Sequence, residues 1–207
     1  IKVKGMQFMD AMKILTKEGT DLHDTDAKKS RKPDCDVKRK LLLPDKSETN
    51  FEVIRYLTSR GIDSDVIKAC IDEGLLYESL PYHNCIFVGF DETGNAAYAF
   101  YRATTGERLM SEAAGSDKRY SFRIDRAGST LHVFESAIDL LSYATIMKMR
   151  TGEWRAEPML SLGGVYAPST NNKQSNLPIA LENMTQNQTQ IKRFVVLMHI
   201  LQRGDMR

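Results

Sequence analysis

A glutamate and an aspartate stand four positions apart where an apolar run gives way to a helical pattern. Glu135 ends the run 131–135, and Asp139 follows one helical turn later. In parallel α/β sheets, reactive groups collect at the carboxyl ends of strands, and one or two carboxylates with waters and phosphates are the usual ligands of Mg²⁺. The pair therefore has the residue types of a metal site for phosphate chemistry. A helix N-terminus also favours acidic side chains, so the spacing alone is equally consistent with a structural role.

A second group of residues interleaves cations with aromatic rings. Rings that stack on bases and cations that follow the phosphates are the means by which single strands are bound. Surface side chains that cover a strand pair would give the same pattern. We expect four of these residues, Arg102, Lys118, Arg119 and Tyr120, to contact nucleic acid. The whole group is Tyr98, Tyr101, Arg102, Lys118, Arg119, Tyr120 and Arg123.

Composition places the chain among globular proteins. Its 207 residues are 42% hydrophobic and 27% charged, with a net charge of only +2, which excludes a disordered or membrane-spanning class. Cys35, Cys70 and Cys85 are far apart and odd in number, which excludes a disulfide scaffold or a self-contained zinc site and favours the reducing cytoplasm. Because the chain starts at Ile1, we expect a fragment or a processed product.

The region from residue 50 to residue 101 predicts a small α+β unit. Helical periodicity over 51–60 stops at Gly61, and Asp63 or Ser64 can cap a second helix. The β-like runs 85–90 and 96–101 flank a turn-rich segment, which predicts a hairpin. A basic run over 28–40 precedes this unit; it is typical of a solvated linker, although it could also grip phosphates.

The last third predicts an α/β arrangement with a parallel sheet. Strands are expected over 131–135, 159–162 and 194–201, because these runs are apolar. An amphipathic helix is expected from residue 137 to residue 147 and another over 177–184, where Pro178 suits the first turn. Trp154, between a helix and a strand, is expected to be a packed loop aromatic. Strand, helix, strand, helix and strand in alternation indicate parallel pairing.

Several motifs resemble the Toprim domain found in bacterial primases, topoisomerases and recombination nucleases. The segment 131–139 (LHVFESAID) is similar to its opening motif, and 160–164 (LSLGG) is similar to its second strand and glycine turn. The segment 56–62 (YLTSRGI) resembles a helix end of primase catalytic cores. The stretches YHNCIFVGFDETG, GSDKRYSF and LHVFESAIDLLSYA look like primase-like Toprim proteins of bacterial mobile elements such as conjugative transposons.

The resemblance implies a domain organisation. Residues 1–17 would be the closing helix of an upstream CHC-type zinc-binding domain, with the amphipathic pattern over 5–15 as its sign, and 18–48 a basic linker. Residues 49–126 would form the primase-like α+β module, and 127–207 an incomplete Toprim-like α/β domain. Zinc would belong only to the upstream domain, which this chain lacks.

The resemblance also implies a magnesium site, and here the sequence departs from the family. The family's glutamate and a later D-x-D pair hold Mg²⁺, whereas Asp205 is the only acidic residue after the run that begins at Phe194. Glu135 and Asp139 alone would bind Mg²⁺ weakly or not at all. We expect a truncation or frameshift near residue 198; an intact relative with the same ending would contradict this.

The function implied by the resemblance is synthesis of a short primer, or a related strand transaction in DNA replication. Glu135 would be a metal ligand or general acid/base and Asp139 a supporting carboxylate. Partners would be single-stranded DNA, nucleotides and a helicase or relaxase of the same element. One alternative is a non-catalytic single-stranded DNA-binding module with a structural Toprim remnant. A Toprim nuclease or topoisomerase is a third reading, which the RGI and GSDKRY segments argue against.

Overall fold

Along the described part of the chain, two helices come first, a run of strands follows, and strands and helices alternate only in the last third. The computed structural model describes residues 40–106, 109–164 and 177–197. The helices are α1 (Phe51–Ser59), α2 (Ser64–Asp72), α3 (Ala137–Thr151) and α4 (Ile179–Asn187). The strands are β1 (Leu76–Glu78), β2 (Cys85–Phe90), β3 (Ala96–Arg102), β4 (Met110–Glu112), β5 (Arg123–Ile124), β6 (Thr130–Phe134), β7 (Met159–Ser161) and β8 (Arg193–Leu197), with a 3-10 turn at Lys118–Tyr120. The helix predicted over 5–15, the run 198–201 and Asp205 lie outside these residues.

The first sheet is an antiparallel meander in the order β1-β2-β3-β4. Its β2–β3 hairpin is the one that the sequence predicted. The Asp91 carboxylate closes the turn by accepting hydrogen bonds from the backbone N–H groups of Thr93 and Asn95, both at 2.9 Å. Asp is suited to such turns because its short side chain reaches the backbone two residues ahead.

The second sheet has the order β5-β7-β6-β8. The three strands predicted from their apolar runs pair in parallel, with β6 central between β7 and β8, which confirms the predicted parallel sheet. The two-residue strand β5 adds an antiparallel edge that the sequence analysis did not predict. Because β6 and β7 pair in parallel, the carboxyl ends of both strands lie at the same edge of the sheet.

Local signals set the helix boundaries. Asp63 caps α2 by accepting a hydrogen bond from the Asp65 N–H at 2.8 Å, as expected for a short acidic side chain before a helix. Gly61 follows α1 with φ +81° and Gly152 follows α3 with φ +76°, the left-handed conformation that ends many helices. The helix α3 is 15 residues long and extends one turn beyond its predicted apolar pattern.

One hydrophobic core joins the predicted α+β module to the predicted α/β domain. Buried side chains of α1 and α2 pack in the same cluster as those of β6 and α3. Each fully buried Leu or Phe contributes about 1.5–3 kcal/mol to stability. Trp154 belongs to this cluster and is 8% exposed, which confirms the predicted packed loop aromatic. The fully buried members include Val53, Leu57, Leu76, Phe87, Phe134, Leu140 and Leu141.

Part of the predicted linker, residues 40–48, packs against the first sheet. Leu41 packs on a smaller hydrophobic cluster of that sheet, and the Leu42 N–H donates to the Ala114 carbonyl at 2.9 Å. The Ser47 N–H donates to the Glu78 carbonyl at 2.8 Å. Backbone hydrogen bonds therefore hold this stretch in place, which the charge pattern of the sequence does not reveal. Within the described residues, no helix combines the length and hydrophobicity that crossing a bilayer requires.

Candidate functional site

A cavity of about 180 Å³ lies where the carboxyl ends of β6 and β7 meet the first sheet. Carboxylates, arginines, glycine backbone and aromatic rings all reach it. A mixture of apolar walls and a few convergent polar groups is the usual composition of a ligand site. The lining residues include Arg60, Phe87, Tyr98, Phe100, Arg102, Phe122, Glu135, Ser136, Asp139, Gly163 and Gly164.

The acidic wall of the cavity is the corner between β6 and α3. Glu135 directly follows β6, and Asp139 lies in the first turn of α3. The Ser136 hydroxyl caps the helix by accepting from the Asp139 N–H at 3.3 Å, and it donates to Asp139 Oδ2 at 2.7 Å. The structure thus brings both predicted carboxylates to one cavity. The same hydroxyl orients the Asp139 carboxylate while stabilising the helix.

A glycine turn after β7 forms the wall beside Glu135. Gly163 has φ +68° and Gly164 has φ +115°, conformations that residues other than glycine adopt only under strain. The Gly164 N–H donates to the Glu135 carbonyl at 2.9 Å. A Cβ atom on Gly163 would lie 2.6 Å from the Tyr98 hydroxyl. Glycine is therefore required here, and it lets the backbone come close to the cavity.

The basic wall comes from the first half of the chain. Arg102, the last residue of β3, donates from Nε to the Tyr56 hydroxyl at 3.0 Å. Arg60 caps the C-terminus of α1 and also lines the cavity. Among the described residues, neither guanidinium is paired with a carboxylate. Arg102 was predicted as a phosphate-binding residue, and its position in the cavity is compatible with that role.

Lys118, Arg119 and Tyr120, by contrast, do not line the cavity. Lys118 Nζ lies 3.0 Å from Glu112 Oε1, and Arg119 Nε donates to Asp117 Oδ1 at 3.0 Å. Both cations are partly exposed and already have a carboxylate partner.

Tyr120 is only 9% exposed as a residue, so little of its ring is open to a base. Its hydroxyl donates to Glu92 Oε2 at 2.7 Å, and this bond raises the pKa of Tyr120 and lowers that of Glu92. The Arg119 guanidinium carbon lies 5.3 Å from the ring centroid. In this conformation Tyr120 supports Arg119 rather than presenting a stacking surface.

The acidic pair fits a magnesium ion only in part. Glu135 and Asp139 supply two carboxylates, a number that Mg²⁺ accepts when waters and phosphates complete its octahedron. Across residues 40–106, 109–164 and 177–197, no three His, Cys, Asp or Glu side chains gather as a metal site would require. The two carboxylates therefore suit an ion that arrives with a phosphate ligand better than one held by protein alone.

Sequence reasoning missed Arg60, Ser136 and the aromatic wall. The RGI segment resembles a primase helix end, but that resemblance does not identify its arginine as a ligand. Ser136 could have been recognised as a helix cap, because serine three residues before an acidic side chain is a capping pattern. Phe87, Phe100 and Phe122 carry no sequence signal beyond hydrophobicity.

Comparison with known proteins gives a family match over part of the chain. Residues 55–127 match the family described as "Protein of unknown function (DUF3991)". This segment includes Arg60 and Arg102 and ends before Glu135 and Asp139. No curated protein matches the chain.

Two solved structures are similar to the chain at low sequence identity. One is the primase fragment of the bacteriophage T7 primase-helicase protein, with 13% identity and a TM-score of 0.48 over 70% of this chain and 54% of that chain. The other is the DnaG primase catalytic domain bound to ssDNA, with 12% identity and a TM-score of 0.43 over 72% of this chain and 56% of that chain. The chain thus spans little more than half the length of either.

Proposed function

We propose that this chain belongs to a primase-like DNA-processing protein whose cavity carries out Mg²⁺-dependent nucleotidyl transfer on single-stranded DNA. The observation that carries the proposal is the composition of the cavity. Glu135 and Asp139 reach it from the second sheet and α3, while Arg60 and Arg102 reach it from α1 and the first sheet. Carboxylates for a metal and arginines for phosphate oxygens are the two sets of groups that phosphoryl transfer requires.

Each part of the cavity has a distinct task in this proposal. Arg102 and Arg60 bind phosphate oxygens, for which the planar guanidinium offers paired donors. Glu135 and Asp139 would hold Mg²⁺, which would neutralise charge on the phosphate. The glycine turn lets the phosphate approach the backbone without meeting a side chain.

The basic residues outside the cavity would guide the strand. Lys118 and Arg119 are partly exposed, and a DNA phosphate would compete with Glu112 and Asp117 for them. Such contacts contribute modest affinity and depend strongly on salt. Tyr120 would act through Arg119, which lies against its ring.

A non-catalytic single-stranded DNA-binding module is the second candidate. The observation that favours it is that the described residues offer the metal only two carboxylates, Glu135 and Asp139. With only these two carboxylates, the cavity can still bind phosphates through its arginines, but within the described part of the chain it lacks the full set of metal ligands that nucleotidyl transfer requires.

Nucleotide incorporation distinguishes the two candidates. The chain is incubated with a single-stranded template, nucleoside triphosphates and Mg²⁺, and the products are separated on a gel. Catalysis predicts metal-dependent products that fall at least about tenfold in Glu135→Gln, because a metal ligand is lost. The matched control is Glu48→Gln, an exposed carboxylate in the segment 40–48, which should leave incorporation unchanged.

The binding module predicts a different result. No products form, while single-stranded DNA binds in a salt-sensitive manner whether or not Mg²⁺ is present, and Glu135→Gln binds as the wild type does. Absence of both products and DNA binding at low salt would contradict both candidates.

A further inference from the structure

The hydrogen bond between Tyr56 and Arg102 points to a role for a residue outside the cavity lining. We propose that Tyr56 is a positioning residue: its hydroxyl orients the Arg102 guanidinium so that the two terminal nitrogens can bind a phosphate in the cavity. The inference rests on the proposed function, because it assumes that the cavity binds phosphate. It adds a residue of α1 to the site and explains how two distant segments act together.

The geometry joins two elements that are remote in sequence. Tyr56 lies in the last turns of α1, and Arg102 ends β3, a separation of 46 residues. The Arg102 Nε and the Tyr56 hydroxyl oxygen are 3.0 Å apart. The Tyr56 ring is partly buried and packs against the main hydrophobic core, and this packing restricts the position of the hydroxyl.

The choice of nitrogen matters for phosphate recognition. An arginine fork binds an oxyanion through pairs of N–H groups, and a free arginine side chain must give up considerable rotamer freedom to do so. Tyr56 occupies Nε only, and among the described residues it is the sole hydrogen-bond partner of the Arg102 side chain. No described residue hydrogen-bonds to either terminal nitrogen, and the bond at Nε already restricts the rotamers of the side chain. Preorganisation of this kind raises affinity without adding a contact to the ligand.

A purely structural role for Tyr56 predicts different behaviour. In that case the hydroxyl would contribute to folding, and its loss would lower the melting temperature without any link to Arg102. A positioning role predicts an energetic link between the two residues that appears in ligand binding. A double-mutant cycle measures that link directly.

The experiment measures ATP binding to the full chain by isothermal titration calorimetry at low salt. Tyr56→Phe removes only the hydroxyl, and Arg102→Lys keeps the charge but has no Nε for Tyr56. Each is expected to weaken ATP binding about threefold to tenfold, the usual consequence of losing one such hydrogen bond. The double variant is expected to bind no more than about twofold more weakly than Arg102→Lys alone, because the bond is already absent.

Tyr77→Phe is the matched control. The Tyr77 hydroxyl donates to the Pro44 carbonyl at 3.0 Å, a bond as long as that of Tyr56, and its side chain belongs to the smaller cluster away from the cavity. This variant should bind ATP as the wild type does. Melting temperatures of all variants, measured by circular dichroism, confirm that the chains are folded.

The outcomes separate this inference from the proposed function. Equal weakening by Tyr56→Phe in the wild-type and Arg102→Lys backgrounds, or no weakening in either, overturns the positioning role. Wild-type protein that fails to bind ATP, or binding unaffected by Arg102→Ala, overturns the phosphate-binding cavity itself. Arg102→Lys removes the hydrogen bond between Arg102 Nε and Tyr56 without changing a residue that packs on the core, so a folding defect in Tyr56→Phe would not leave the inference untested.

Discussion

The two groups of basic side chains differ in what already holds them. Lys118 and Arg119 each lie within 3.0 Å of a carboxylate oxygen, on Glu112 and Asp117 respectively. Arg102, in the cavity, is held by the neutral hydroxyl of Tyr56. A phosphate that approaches the first pair must displace a carboxylate, whereas no carboxylate of the described residues pairs with Arg102. The density of basic residues in a sequence therefore says less about binding than the pairing of each cation does.

The two groups also rest on different supports. The turn that carries Lys118 and Arg119 lies against β2, where Gly89 leaves room for its backbone. The cavity is built where strand ends, a helix N-terminus and a glycine turn converge. A substitution at Gly89 should therefore destabilise the contact between β2 and the 3-10 turn, whereas one at Gly163 should destabilise the wall of the cavity.

Gly89→Ala should cause the largest loss of stability. A Cβ atom at this position would lie 1.6 Å from the Tyr120 carbonyl oxygen, so β2 and the 3-10 turn would have to separate. Overpacking typically costs about 1–3 kcal/mol and occasionally more, and we expect a loss at the upper end of that range in the free energy of unfolding, measured in urea. Gly106→Ala is the control, because no atom lies within 4 Å of its added Cβ. Wild-type stability of Gly89→Ala would show that this support is not needed.

Gly163→Ala tests the support of the cavity and should cost less. The positive φ of +68° and the approach of the added Cβ to 2.6 Å from the Tyr98 hydroxyl both oppose alanine. We expect a loss of about 2 kcal/mol in the free energy of unfolding, about half of it from the backbone conformation. Adding Tyr98→Phe removes the clashing hydroxyl and should restore part of the loss. No recovery in the double variant would assign the whole effect to the backbone.

Arg102→Ala and Arg119→Ala compare the two groups directly. Loss of Arg102 should weaken ATP binding about tenfold, the effect of removing a charge-assisted hydrogen bond. Loss of Arg119 should change it less than about twofold, because its exposed pair with Asp117 contributes little and lies outside the cavity. Titration calorimetry at low salt measures both. A larger effect from Arg119 would reverse the comparison and move the phosphate site to the surface turn.

Local patterns made the acidic wall predictable. Apolar runs and helical periodicity placed Glu135 at the end of a strand and Asp139 in the first turn of a helix, and the structure has both there. The β2–β3 hairpin was equally accessible, because its turn chemistry is contained in a few consecutive residues. The parallel pairing of β6, β7 and β8 followed from the alternation of strands and helices.

The basic wall depended on information that the sequence does not contain locally. Tyr56 and Arg102 meet only because α1 and the first sheet pack in one core with β6 and α3. The carboxylate partners of Lys118 and Arg119 are likewise set by turn geometry and by the neighbouring strand. The charge pattern of the sequence does not distinguish Arg102 from Lys118 and Arg119, although their hydrogen-bond and ion-pair partners differ in the structure.

Tyr120→Phe should have the smallest effect, and pH should reveal it. The Tyr120 hydroxyl donates to Glu92 and lowers the pKa of that carboxyl. A lowered pKa in the folded state means that the bond stabilises the protein above the ordinary glutamate pKa of about 4.3, and that this contribution is lost as the pH falls through the lowered value. The difference in unfolding free energy between wild type and Tyr120→Phe should therefore shrink as the pH falls from 6 to 3.

The affinity of Tyr120→Phe for single-stranded DNA should change less than about twofold, because the ring that supports Arg119 remains. A stability difference that is constant with pH would show that the hydroxyl acts on something other than Glu92, and a large loss of DNA affinity would show that Tyr120 contacts the strand itself.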